Sequence, residues 1–87
     1  MESDIRIVIL QRGWVVVGRF CRMGERCFLQ GGSVIRDWGT TRGLGELAES
    51  GPTEKTKLDP VPEMEFHDLV AIATIRCEAA RWLPHLR

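Results

Sequence analysis

Positive charge is not in surplus in this sequence: twelve basic groups are matched by twelve acidic ones, and the net charge is zero. A general nucleic-acid binder usually carries excess positive charge, so that class starts at a disadvantage. Long apolar runs are missing too. None approaches the roughly 18 residues of a membrane span. The short apolar run near the N-terminus is interrupted by Arg6, which argues against a signal peptide. Cysteine is sparse and odd in number, at Cys21, Cys27 and Cys77. Together these absences predict a cytoplasmic protein with reduced thiols and no membrane partner. The two histidines, His67 and His85, lack the paired spacing of a zinc site, so neither a metal nor a cofactor is expected.

Motifs for catalysis are also lacking. A nucleophile needs a base within hydrogen-bond reach. Cys21, Cys27, Cys77, Ser33, His67 and His85 are present, but no motif joins them. Asp37 and Glu46 could flank a site, though spacing alone does not bring them together. The expectation is a protein that is not an enzyme, with a nucleotide phosphodiesterase as the enzymatic alternative.

What is present is a single small domain, residues 1–87, with an ordinary apolar content of 44%. A domain of this size buries a modest share of its surface and often gains stability from oligomerisation. Residues 5–10 and 13–20 read as strands rich in β-branched side chains, with Gly18 marking a bulge or sharp bend. Residues 22–25 read as a tight turn around Gly24, and 26–30 as the return strand. Residues 31–38 leave that strand through a bend and continue as another short one. Residues 39–60 form a long connection, in which 44–50 suit one or two helical turns stopped by Gly51 and Pro52. Residues 53–62 are extended, 63–66 form a short strand, and 78–83 a terminal helix ended by Pro84. The apolar residues of 69–77 are nearly continuous, which predicts a strand buried on both faces. In so small a domain its second face would be covered by another copy of the chain. The fold class expected is mainly β: a strongly bent sheet or small Sm-like or SH3-like barrel of five or six strands, with one long loop and a short C-terminal helix, assembled as a homo-oligomer.

The charge is unevenly spread. Residues 1–42 hold seven arginines against four acids, and residues 43–87 hold five basic groups against eight acids. Ten of the twelve basic residues are arginine, whose planar fork of donors suits phosphate and carboxylate. Two of these arginines fall in the most unusual stretch, RDWGTTRGLGELAESGPT at 36–53, which is too polar and Gly-rich for a core element. Trp38 offers an aromatic face for a base. Arg36 and Arg42 offer charge for phosphates. Thr40 and Thr41 offer hydroxyls, and Gly39, Gly43 and Gly45 let backbone amides approach a ligand. These eight residues are the candidate ligand-binding set, with 51–53 and Thr56 as a weaker extension. GTTRGLG lacks the lysine of a P-loop, and GLGELAESG lacks the glycine spacing of a dinucleotide fingerprint. Trp14 reads as core or interface, and Trp82 as the residue docking the terminal helix.

The segments IVILQRGWVVVGRF, VIRDWGTTRGLGELAESGPT, LD at 58–59 and LVAIATIRCEAARW resemble a family of small proteins encoded in phages and prophages. Its most distinctive motif falls on Arg36, Trp38, Gly39, Thr40, Thr41, Gly43, Leu44 and Gly45. Asp37 stands where that pattern has a basic residue. A weaker resemblance is to Sm-like barrels, in VVVGRF followed by a turn and CFLQGG and in MEFHDLVAIATI, without that family's base-binding Asp/Asn pair or its Arg-Gly pair. By analogy of strategy with phage proteins that sequester bacterial immune signals, the expected function is a homo-oligomeric phage protein that binds a small nucleotide-like ligand in the host cytoplasm. The alternatives are an Sm-like or OB-like module for single-stranded nucleic acid, and a protein that binds a host protein.

Overall fold

The computed structural model describes Asp4–Arg87. Six antiparallel strands form one curled sheet that does not close on itself: β1 (Asp4–Leu10), β2 (Val15–Met23), β3 (Arg26–Asp37), β4 (Lys57–Pro60), β5 (Met64–His67) and β6 (Ala71–Arg76). Their order is β4-β3-β2-β1-β6, with β5 also paired to β3. Two short helices, α1 (Leu44–Ser50) and α2 (Ala79–Trp82), complete the fold.

The predicted hairpin at Gly24 joins β2 to β3, and the predicted bend lies within β3. Val17 pairs with Ser33 and Arg19 with Gln30, so Gly18 faces two residues, Gly31 and Gly32. This extra residue is a β-bulge, and it kinks the strand. A β-carbon on Gly18 would lie 2.9 Å from Leu29 Cγ and 3.0 Å from Gly32 Cα, so the approach of the two strands needs glycine there. On either side of the kink β3 takes a different partner along the same edge. Residues Arg26–Leu29 pair with β5, and Ser33–Asp37 pair with β4. The kink also inverts which side chains point inward, since Leu29 and Val34 pack in the same cluster.

Alternation along β1 and β2 divides the apolar residues between two faces. Ile5, Ile7, Val15 and Val17 join Ile35, Cys77 and Trp82 under Leu47 and Ala48 of α1. Val8, Leu10, Val16 and Leu29 fill the inside of the curl, against Phe20, Met64, Phe66 and Val70. The strands buried on both faces are therefore β1 and β2, covered by the chain's own helices and by its own curl.

The run 69–77 does form a strand, but its expected burial is not what the chain shows. Among the described residues β6 lies at the sheet edge and pairs only with β1. Ile72 stands at a register shift and is 65% exposed, and Leu69 before the strand is 77% exposed. A continuous apolar run cannot distinguish a central strand from an edge strand that leaves apolar groups in solvent. The connection 39–60 contains the expected helical turns, as α1, and then β4 within the stretch read as extended. Gly51 stops α1 as expected, with its N–H on the Leu47 carbonyl. Pro84 lies inside a 3-10 turn, Leu83–His85, that extends α2.

Candidate functional site

The loop begins where β3 runs out. Arg36 projects from the end of that strand and is largely exposed. Its Nε donates to Asp59 on β4 at 2.9 Å, and this carboxylate raises the guanidinium above its ordinary pKa. Trp38 follows and is 43% exposed. Its six-membered ring lies over Gly43, where a β-carbon would meet Cζ3 at 3.8 Å.

Two threonines from the far end of the connection fasten this turn. Thr56 Oγ1 donates to the Trp38 carbonyl and Thr53 Oγ1 to the Gly39 carbonyl, each at 2.7 Å. The Thr53 amide donates to Thr56 Oγ1 at 2.9 Å, which ties the two hydroxyls together. Gly39 adopts φ 66°. A β-carbon there would lie 2.5 Å from the Thr56 nitrogen and 2.6 Å from the Lys55 carbonyl oxygen. Glycine is thus required twice over, by conformation and by space.

The helix end of the loop is bonded internally as well. Thr40 Oγ1 donates to the Gly43 carbonyl and accepts from the Gly43 amide, both at 3.1 Å. Glu46 reaches back to the Arg42 amide and the Thr41 hydroxyl at 3.2 Å, and its carboxylate pairs with the Arg42 guanidinium at 3.6 Å. Gly45 lies in the first turn of α1 with open space beside it. The eight sequence-predicted residues are therefore brought into one continuous surface segment, with residues 53–56 as part of the same structure. The threonine hydroxyls are used to build the loop. Trp38, Arg36 and Arg42 remain at its surface, the two arginines in solvent-exposed ion pairs. Asp37 faces Lys57 across the β3–β4 pair, while Glu46 serves α1.

Two concave features lie elsewhere, at the two ends of the curl's interior. One is a cleft of about 380 Å³ bounded by Arg6, Phe20, Arg22, Asp68 and Thr74 with Cys27 in its wall. Arg6 stacks over the Phe20 ring at 5.3 Å, donates to Thr74 at 3.1 Å and to Asp4 at 2.7 Å. The Arg6 bond holds Asp4 below the usual carboxylate range, and burial pushes the Cys27 thiol up. Arg22 is paired with Asp68, so both cations facing this cleft are matched. His67 accepts from the Leu69 amide at 3.1 Å and caps the turn into β6. The second feature, also of about 380 Å³, lies by the β1–β2 turn and includes Trp14. Trp14 is 54% exposed, so it is not a core residue. The sequence signal for this groove is the Arg12-Gly13-Trp14 run between two apolar strands.

No helix among the described residues is long and apolar enough to cross a membrane. Among them, too, no group of three or more His, Cys, Asp or Glu is placed to hold a metal ion. Comparison with protein-family models, with curated proteins and with solved structures finds no match to this chain.

Proposed function

We propose that this protein is a non-catalytic binding module that presents the Trp38 loop to a small nucleotide-like ligand. The observation that carries this reading is the half-exposed Trp38, whose carbonyl and neighbouring turn are fixed by Thr53 and Thr56. A large aromatic left partly in water costs hydrophobic free energy, while a pre-fixed one loses little entropy when a ring stacks on it. Arg36 and Arg42 flank it in sequence, and both sit in exposed ion pairs that are worth little and exchange readily for a phosphate. In this reading Trp38 stacks on the base and the two arginines meet phosphates. Thr40, Thr41 and the glycines Gly39, Gly43 and Gly45 shape the loop that holds them.

The wider role, a homo-oligomeric phage protein that sequesters a nucleotide signal, rests on the sequence resemblance together with the exposed apolar edge of β6. Native mass spectrometry of the protein, alone and mixed with cyclic and linear nucleotides, tests both parts. A defined oligomer that gains nucleotide mass at integral stoichiometry, and loses that gain in Trp38→Ala and Arg42→Ala, is expected. Normal binding by both variants overturns the site, and absence of any nucleotide gain overturns the ligand class. A nucleic-acid module would instead bind oligonucleotides with a steep dependence on salt.

A further inference from the structure

The groove beside the β1–β2 turn has three properties that do not fit an idle surface. Its floor is apolar, made by Leu10, Met64 and Val70, which continue the packing inside the curl. One side is Trp14, more than half exposed, and among the described residues no acidic side chain borders it. At its rim stands Arg12, which has φ 68° in the turn that closes with the Leu10 amide on the Trp14 carbonyl at 2.7 Å. That left-handed conformation is uncommon for any residue but glycine and favours Asn or Asp among the rest. Arginine is held there at a conformational cost, and its guanidinium makes no hydrogen bond or ion pair among the described residues. Strain of this kind concentrates at sites that use it.

We propose that this groove binds an apolar organic acid, with the hydrocarbon or aromatic body on Leu10, Met64 and Val70 against the Trp14 ring and the carboxylate on Arg12. A volume of about 380 Å³ lies in the ordinary size range for small-molecule sites. The chemistry is complementary in charge: an unpaired cation at the rim of an apolar floor selects a ligand with one anionic end. Gln11, also at the rim, supplies a neutral donor beside the arginine. This site is separate from the Trp38 loop and stands or falls independently of it.

The test uses naphthalene-1-acetate and the neutral alcohol of the same ring system, titrated into the full chain and followed by ligand-observed NMR and Trp fluorescence. The acid is expected to bind about tenfold or more tightly than the alcohol, as one charge-assisted hydrogen bond implies. Arg12→Gly removes the cation and also relieves the backbone, so it should fold at least as stably as the parent and bind acid and alcohol equally weakly. Trp14→Ala should weaken both ligands while keeping the preference for the acid. The proposal is overturned if the acid does not bind at millimolar concentration, or if Arg12→Gly binds it as the parent does. It is also overturned if the groove proves to be covered by a second copy of the chain that the acid fails to displace.

Discussion

The Trp82 indole Nε1 donates to the Leu47 carbonyl at 2.9 Å, in a fully buried contact that bolts α2 to α1. Because α1 follows directly on the Trp38 loop, this bond also anchors the loop's downstream end. Glu78 adds a second tie through its amide on the Ala48 carbonyl at 2.8 Å. Truncation to Trp82→Ala should cost about 3–5 kcal/mol, a large share of a small domain's stability. Trp82→Phe keeps most of the volume but removes one of the two donors to the Leu47 carbonyl, which keeps the Gly51 amide, and should cost about 0.5–1.5 kcal/mol. Urea unfolding curves for the two variants check both values. A negligible loss in Trp82→Phe would mean that packing alone fastens the helices.

The threonine clasp makes a different prediction, in which order changes more than stability. Thr56→Val removes the donor to the Trp38 carbonyl while keeping the shape of the side chain. The expected loss is about 1 kcal/mol. The clearer consequence is faster amide exchange through residues 38–43, with the core strands unchanged. Gly39→Ala meets both a positive φ and the Lys55–Thr56 backbone, so it should be worse, at about 1–3 kcal/mol. Hydrogen exchange read by mass spectrometry separates local loosening from global unfolding. Protection of 38–43 as in the parent protein, in both variants, would refute the clasp.

Much of this fold is legible in the residues. Gly24 between two apolar runs marks the hairpin, Gly18 marks the bulge, and Gly51-Pro52 marks the end of α1. Each is legible because a local backbone requirement leaves a single-residue trace. The Trp38 segment was also recognisable as special, but its hydrogen bonds were not, since Thr53 and Thr56 act on carbonyls 14 and 18 residues away. The edge position of β6 left no trace in its residues for a related reason: apolar composition records what a strand is made of, and its place in the sheet depends on pairing across the whole chain. Trp14 and Arg12 escaped notice as a pair because a side chain's exposure and a turn's handedness both follow from the hairpin's geometry.

Burial pushes the Cys77 thiol up to about 12. The residue lies in the cluster beneath α1, where a thiolate would lose its hydration. In the unfolded chain the thiol titrates near its ordinary value, so the folded state holds the proton over a range in which the unfolded state has released it. The stabilisation is complete below about pH 9 and is lost as pH rises from there toward about 12. Cys77→Ala should therefore flatten the decline of the urea midpoint over that alkaline range, although it costs some packing at neutral pH. Alkylation at pH 8 offers a direct check: Cys77 should react with iodoacetamide only as fast as the protein opens. Rapid labelling of the folded protein would contradict the burial.

The exposed edge supplies the test of assembly. Ile72 is 65% exposed and lies where β6 shifts register against β1, so Ile72→Lys removes little packing within the chain. Its effect on the monomer's stability should fall within about 0.5 kcal/mol, as for other surface positions. An edge strand with apolar side chains and unpaired backbone groups is suited to pairing with another strand, and a lysine at the edge opposes that pairing. If the homo-oligomer proposed above forms through β6, Ile72→Lys should shift it toward the monomer in analytical ultracentrifugation while the circular dichroism spectrum stays the same. An assembly that survives the substitution intact would place the contact between copies elsewhere. A parent protein that is monomeric throughout would leave the Trp38 loop to bind its ligand within a single chain.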